Sequence, residues 1–402
     1  MARKDLGGKR EQDEFNMLLS PSRGIADDDP TSLKNPAIQE RFRDHIAEKL
    51  KKWSQTFPFG VRDHDSKRRD EELGIILLDL RKLREGIHSI RRIDAFACEV
   101  YETSVLLSIV ASNQAQLLSS LPHLVTVMHP ALAQNGLSTS LASLSISSGA
   151  TPAQSIPSPE TRSFYLALHL LHSHLLPAFA APSAPTSIAA TPSHPPVSTF
   201  HTTLFSFLAL SSLPRPDSAT SRSSLREPFV PFLLAVHSAF IRSSYATIST
   251  LLSQIPQPPS SVKTRIASLL SIESTGSSAT SRLSTSAPNP FALLLRGAVP
   301  QLRESCYKSI IERSYRCPPD PSDWLSKWLL FEFEVRLELE LGLLQLEDDG
   351  KVSTRQREEV AENWDGKESD DEDNQPIGAE KSYLIREAQR RAAEYVKLKK
   401  GF

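Results

Sequence analysis

Three histidines in one short segment are the pattern in this chain that most resembles a set of metal ligands. His169, His172 and His174 occur in the run HLLHSH, and imidazole nitrogens are common zinc ligands. On a helix His169 and His172 share a face, but His174 points elsewhere, and no cysteine or carboxylate is close in sequence. We interpret them as packed or solvated histidines, and we expect no metal ion and no cofactor.

The three cysteines show no metal-binding or disulfide pattern. Cys98, Cys306 and Cys317 are far apart or separated by ten residues, without a C-x-x-C spacing. A disulfide framework or a zinc site is therefore not expected, and a reducing compartment fits this usage.

Sequence motifs of known catalytic sites are absent. The chain contains no G-x-x-x-x-G-K-[ST] or G-x-G-x-x-G segment that would hold a nucleotide phosphate, and no G-x-S-x-G nucleophile turn. No cysteine has an evident histidine partner. We therefore predict that the protein is not an enzyme and has no small-molecule substrate.

Basic residues are the remaining candidates for a binding function. Arg84 and Arg92 lie near the end of the first core helix, and Lys308, Arg313 and Arg316 lie on or after a later helix. Lysine and arginine side chains can hold a phosphate backbone, whereas a solvated helix face is the alternative. These five residues are our candidate contacts to RNA or to a partner protein.

Composition restricts the protein classes to consider. The 402 residues allow two or three domains, and the 46 basic and 47 acidic residues nearly cancel. This balance argues against attraction of the whole molecule to nucleic acid or to an anionic membrane. No apolar run approaches the roughly 18 to 20 residues that cross a bilayer, and the first residues lack the apolar run of a signal peptide. We expect a soluble intracellular protein.

The first 60 residues of the chain are predicted to begin with disorder and then become helical. Residues 1–34 are polar and unpatterned, which favours disorder. Residues 35–60 form an amphipathic helix with Asn35 as N-cap and a narrow apolar stripe from Ile38 through Phe42 to Trp53. We expect this stripe to dock on the same chain, with a partner helix as the alternative.

Residues 61–290 are predicted to form a stacked helical array. Short amphipathic segments with more than one apolar face follow one another, as in helical repeats, although no repeat consensus is recognisable. One predicted helix ends at His129-Pro130. Four stretches rich in Ser, Ala and Pro interrupt the array, and we expect them to be disordered insertions; they are 134–159, 181–198, 211–227 and 274–290.

Residues 291–352 have the element order of a winged helix. The pattern predicts a first helix that either begins at Pro300 or starts at Phe291 and is kinked at Pro300. A second helix with Ser322 as N-cap follows, and then a third helix from Val335 whose alternation also fits a strand. A hairpin of 343–352 would follow. A plain helical bundle is the alternative. Residues 353–402 are predicted to be an acidic linker followed by a basic helix at 380–400.

The core resembles the conserved domain of the Sac/GANP/Thp family (suppressor of actin and germinal-centre-associated nuclear protein). The clearest part is Glu99-Val100-Tyr101-Glu102-Thr103. Other matching residues are Leu80, Arg84, Arg92, Phe96, Gln116, Leu121 and Leu124, with weaker matches at 164–166, 232–245 and 321–343. The resemblance covers about residues 70 to 350, and the Ser/Pro-rich insertions depart from the family pattern.

This resemblance implies a mainly α fold, with stacked TPR/PCI-like helices capped by a winged helix. It implies a non-catalytic scaffold in nuclear mRNA processing or export complexes, located in the nucleus with the cytoplasm as a second compartment. Implied partners are another PCI-type subunit and RNA-processing factors, with RNA as a further candidate. Alternatives are a subunit of the proteasome lid, the signalosome or an initiation-factor complex, or a family member linked to centrosomes and mitosis.

Overall fold

A computed structural model describes ten parts of the chain. They are residues 32–58, 66–134, 157–175, 200, 202–204, 229–241, 244–271, 287–308, 321–340 and 376–400. Within these parts the structure is mainly helical and contains no strand. The mainly α prediction is therefore confirmed. The disorder predicted for residues 1–34 is wrong at 32–34, where a turn buries Leu33. Residues 1–31, most of the Ser/Pro-rich stretches and the hairpin at 343–352 lie outside the described parts.

Twelve α-helices are described, several with the boundaries that the apolar spacing predicts. They are α1 Pro36–Thr56, α2 Ser66–Ser89, α3 Ala95–Val110, α4 Gln114–His123, α5 Pro159–Leu170, α6 Phe229–Ile241, α7 Tyr245–Leu252, α8 Ser260–Leu269, α9 Pro290–Cys306, α10 Pro321–Trp328, α11 Phe331–Glu340 and α12 Pro376–Lys400.

The first helix docks on the same chain, as its apolar stripe predicts. The Asn35 side chain accepts a hydrogen bond from the Ala37 amide at 3.0 Å and so caps α1. Phe42 and Trp53 are buried, and α1 packs along α2. The indole of Trp53 also donates to the Arg69 carbonyl at 3.1 Å. The stripe is thus covered within the chain, and it needs no partner helix.

Helices α2, α3 and α4 pack in sequence, each against the next. Asp94 and Asn113 cap α3 and α4 by accepting bonds from the Ala97 and Gln116 amides. A π-helical turn, Leu124–Met128, follows α4, and helical structure continues through 129–134.

The prediction that His129-Pro130 ends this helix is wrong. Pro130 has no amide hydrogen and in a regular α-helix would clash with the carbonyl four residues earlier. Here the His129 amide bonds to Leu124, five residues back. The wider π-turn changes the bonding pattern directly before Pro130, so the chain continues as a helix.

An aromatic cluster joins α5, α6 and α9. The ring of Phe164 lies 5.8 Å from Phe229 and 5.3 Å from Phe291, edge to face in both cases. Phe229 and Phe291 stack on each other at 5.6 Å. All three rings are buried, and such pairs add to the free energy of burial alone. The cluster therefore connects the middle of the chain to the helices that follow residue 287.

The structure decides between the two readings of Pro300 and corrects the predicted N-cap at Ser322. Helix α9 runs from Pro290 to Cys306 with Pro300 inside it, so the helix does not begin at Pro300, and a kink at this residue stays a prediction. Apolar residues on both sides of Pro300, including Leu295 and Leu302, are buried in one core. Helix α10 begins at Pro321, so Ser322 is a helical residue and not the N-cap. In each case packing and the fixed φ of proline decide the boundary.

The segment that fits either a helix or a strand is a helix, α11. Phe331, Phe333, Val335 and Leu337 are buried in alternation, because α9, α10 and α12 pack against α11. The intervening Glu334 accepts a hydrogen bond from Arg303 at 2.5 Å. Buried alternation thus reflects a helix covered on several sides.

The C-terminal helix α12 packs back on α10 and α11. Ala388 and Ala392 are fully buried, and the Tyr395 hydroxyl donates to Glu304 at 2.9 Å. The sequence predicts this helix but not its docking. None of the helices in the described part of the chain combines the length and apolar character needed to cross a bilayer.

Candidate functional site

Arg84 lies inside the fold, between three helices. It is only 5% exposed, and its Nη2 donates to Gln116 Oε1 at 2.6 Å. Both terminal nitrogens reach Ser119 Oγ at 3.2 Å, and the guanidinium carbon lies 5.7 Å from the centroid of the Tyr101 ring. Burial lowers the pKa of Arg84. The side chain therefore connects α2, α3 and α4, and a contact to RNA through it stays a prediction.

Arg92 joins α1 to the start of α3. Its Nε donates to Asp94 at 2.6 Å, and its terminal nitrogens bond to Gln39 and Glu40 at 3.1 and 3.0 Å. The guanidinium also lies 4.2 Å from the centroid of Phe96, a cation–π distance. The donors of Arg92 are thus directed at groups of the same chain.

Lys308 is the predicted contact residue that faces solvent. Its side chain is 56% exposed and forms an ion pair with Glu304 at 3.3 Å, which contributes little free energy at the surface. Arg313 and Arg316 lie outside the described residues. Of the five predicted contacts, Lys308 is therefore the one whose described environment is open to a ligand.

Two histidines of the HLLHSH segment, His169 and His172, are engaged separately, and the side chain of His174 is outside the described part of the structure. His172 is buried, and its Nε2 lies 2.6 Å from Gln114 Oε1; burial lowers its pKa. His169 Nδ1 lies 3.0 Å from Ser173 Oγ. The described contacts join these histidines to polar groups and not to one common point.

A buried polar cluster forms around Glu102. One carboxylate oxygen, Oε1, lies 3.3 Å from His129 Nε2 and 3.7 Å from Cys98 Sγ. The other, Oε2, forms an ion pair with Arg265 Nη1 at 2.6 Å. Cys98, Glu102 and His129 are all buried, and burial, followed by the charge of Glu102, raises the pKa of the Cys98 thiol. The cluster brings a thiol, a carboxylate and an imidazole together in the core.

Tyr165 on α5 borders this cluster. Its ring centroid lies 5.6 Å from that of His129. Its hydroxyl is fully buried and has no hydrogen-bond partner among the described residues. Burial raises the pKa of this hydroxyl, and the charge of Glu102 raises it further. A buried hydroxyl without a partner is unfavourable by about 1 to 3 kcal/mol, so this position calls for an explanation.

Sequence reasoning missed this cluster because its members are far apart in the chain. The one local signal is the spacing of Cys98 and Glu102, which places both on one face of α3. His129 follows the π-turn, and Arg265 belongs to α8. Only the packing of these helices brings the four side chains together.

Comparison of the chain with models of known protein families, with curated proteins and with solved structures found no match.

Proposed function

We propose that this chain is a non-catalytic scaffold subunit of the Sac/GANP/Thp type, which acts in nuclear complexes that process or export mRNA. Its stacked helices provide the surface for a PCI-type partner and for RNA-processing factors. Helical arrays of this kind bind partners along extended faces. In this proposal the fold is PCI-like, and residues 291–352 form its winged-helix end.

The observation that carries the proposal is the contact of Arg84 with Tyr101 and Gln116. The resemblance to the family rests on three separate stretches: basic residues on α2, the Glu99–Thr103 motif on α3, and the glutamine pattern on α4. One residue from each stretch takes part in this buried cluster, in which Arg84 bonds to Gln116 at 2.6 Å and lies over Tyr101. Because the three residues contact one another, a change in one affects the packing of the other two. This supports treating the three stretches as one motif.

Glu102, which follows Tyr101 in the Glu99–Thr103 motif, also joins helices to one another. Its carboxylate joins α3 to α8 through Arg265 and to the helical segment 129–134 through His129. The most specific part of the resemblance therefore coincides with the polar contacts that hold the helical layers together. This coincidence supports a shared fold as the basis of the resemblance.

The test is affinity purification of the tagged full chain from cells, followed by mass spectrometry with and without ribonuclease. We expect a PCI-type subunit together with RNA-processing factors. Recovery of the proteasome lid, the signalosome or an initiation-factor complex instead would favour the alternative subunit assignment. Recovery of centrosomal proteins would favour the mitotic alternative.

A pair of charge variants makes the same experiment sensitive to the predicted winged-helix end. Lys308→Glu should reduce recovery of the partner, because Lys308 is exposed directly after the end of α9. Lys67→Glu is the matched control. Lys67 is also an exposed lysine that forms an ion pair with a glutamate four residues away, Glu71, but it lies on α2. Equal loss for both variants would argue against a contact at this end.

A further inference from the structure

We propose that Cys98, Glu102 and His129 form a structural binding site for a divalent transition-metal ion, with Zn²⁺ as the expected ion. This inference does not depend on the scaffold function, and it revises the expectation from sequence that the chain binds no metal. Thiolate, imidazole and carboxylate groups are the three ligand types of protein zinc sites.

Two of the three distances between the donor atoms match those of a tetrahedral zinc centre. Zinc bonds of ordinary length give ligand–ligand distances of about 3.3 Å between nitrogen and oxygen and about 3.6 Å between sulfur and oxygen. Glu102 Oε1 lies 3.3 Å from His129 Nε2 and 3.7 Å from Cys98 Sγ. All three donor atoms lie within 4.8 Å of one another. One ion can therefore contact the three donors with small side-chain adjustments.

The backbone positions these donors on regular elements. Cys98 and Glu102 are four residues apart on α3 and so project from the same face. His129 follows the π-turn Leu124–Met128, and π-turns occur frequently at functional sites, where they redirect a side chain. A site built on helices holds its ligands more rigidly than one on loops.

Arg265 supports the carboxylate ligand from outside. Its Nη1 bonds to Glu102 Oε2 at 2.6 Å, which leaves Oε1 directed toward Cys98 and His129. Ligating carboxylates in metal sites commonly accept such a second hydrogen bond, which fixes their orientation. The Arg265 side chain is one third exposed, whereas Cys98, Glu102 and His129 are buried. Arg265 is therefore the most exposed member of the cluster.

Tyr165 supplies the second, independent observation. Its fully buried hydroxyl has no hydrogen-bond partner within the described part of the chain, and its ring borders that of His129, with 5.6 Å between the ring centroids. A metal ion bound by three protein ligands has a fourth position, which a water molecule or this hydroxyl oxygen would fill. In either case the hydroxyl gains a partner, which explains an otherwise unsatisfied polar group in the core.

Binding requires one proton transfer. The Cys98 thiol loses its proton to solvent and becomes the thiolate ligand, while Glu102 binds as the carboxylate that is paired with Arg265 and His129 binds through a ring nitrogen. The two negative ligands balance the two charges of the ion, and Arg265 keeps its own positive charge. No oxidation or further reactant is involved.

The experiment uses the purified full chain. Zinc content is measured by mass spectrometry after desalting, and the metal-free protein is then titrated with Co²⁺. We expect one ion per chain and the ultraviolet charge-transfer absorption of a Co²⁺–thiolate bond. Added zinc should raise the melting temperature, because the ion binds the folded state.

Variants distinguish this site from other metal binding. The double variant Cys306→Ser/Cys317→Ser keeps Cys98 as the single cysteine and should retain the charge-transfer band. Cys98→Ser should abolish it, and Glu102→Gln or His129→Gln should weaken Co²⁺ binding at least roughly tenfold. Circular dichroism verifies that each variant keeps its helical content.

Two results would overturn the proposal. One is a folded wild-type chain that retains no zinc and develops no thiolate band with Co²⁺, which would leave a buried hydrogen-bond network without a metal. The other is a band that persists in Cys98→Ser, which would assign the metal to another cysteine. Neither result bears on the partners recovered by affinity purification, so the two proposals fail separately.

Discussion

Arg391 on α12 and Glu338 on α11 form an ion pair across the C-terminal part of the fold, with Nη2 and Oε2 2.9 Å apart. Both side chains are largely buried, at 21% and 15% exposed. Arg391 also donates from Nε to Glu387 on its own helix at 2.9 Å. The pair is therefore positioned to fix how α12 docks on α11.

A double-mutant cycle on this pair should reveal coupling. We expect Arg391→Met and Glu338→Gln to interact by about 1 to 2 kcal/mol, because the pair is largely shielded from water. Chemical denaturation of the wild type, both single variants and the double variant gives the coupling free energy. Arg390→Met is the control: Arg390 is 56% exposed and pairs within α12, so its loss should change stability by only about 0.3 to 0.5 kcal/mol. Equal effects for the two arginines would contradict the docking role of Arg391.

Two glycines in α2 should respond oppositely to alanine. A Cβ at Gly86 would lie 2.6 Å from the backbone carbonyl oxygen of Leu33 and 2.9 Å from the Leu33 Cβ. The Leu33 side chain is fully buried, so neither atom can move away easily. Gly86→Ala should therefore destabilise the protein by about 1 to 3 kcal/mol. A Cβ at Gly74 meets nothing within 4 Å, so Gly74→Ala should stabilise it by up to about 1 kcal/mol.

Thermal or chemical unfolding of the two variants checks this contrast. Because both glycines lie in one helix, helix propensity changes in the same direction for each, and the difference between them isolates the close approach of Leu33. Stabilisation by both substitutions would mean that the turn before α1 does not pack on Gly86 as described.

Docking of α12 should weaken in acid through Glu304. Lys399 donates a hydrogen bond that lowers the pKa of Glu304 to about 2, and Tyr395 and Lys308 add to this effect in spite of partial burial. Because the pKa in the folded state is below that of the unfolded chain, this contribution is complete above about pH 4.5. It is lost as the pH falls from there toward 2.

The comparison of wild type with Glu304→Gln measures this contribution. The wild type should have the higher melting temperature at pH 6, and the gap should narrow as the pH falls below about 4.5. A gap that stays constant down to pH 3 would exclude Glu304 as the titrating group.

RNA binding at the predicted patch should depend on the charges of Lys308, Arg313 and Arg316. The combined reversal Lys308→Glu/Arg313→Glu/Arg316→Glu should weaken RNA binding and reduce the slope of log affinity against log salt by roughly 2, because three phosphate contacts to a single strand are lost. Filter binding or fluorescence anisotropy across a salt series measures both quantities.

Arg84→Met provides the contrast. Because Arg84 is buried and bonds to Gln116 and Ser119, its loss should lower stability and leave the salt slope of any folded protein unchanged. A salt slope that decreases with Arg84→Met but not with the triple reversal would move the RNA contact to α2.

Sequence alone determined where most helices lie. Apolar spacing and local caps, such as Asn35 before α1, act within a few residues, so they can be read without knowledge of the fold. The tertiary structure decided which residues that are far apart in the chain contact one another. The segment with alternating apolar residues is the helix α11, and its apolar residues are buried because neighbouring helices cover several of its sides. Arg84 is an internal contact because α3 and α4 enclose it. Cys98, Glu102 and His129 converge only through packing, since contacts between residues far apart in the chain leave no local pattern.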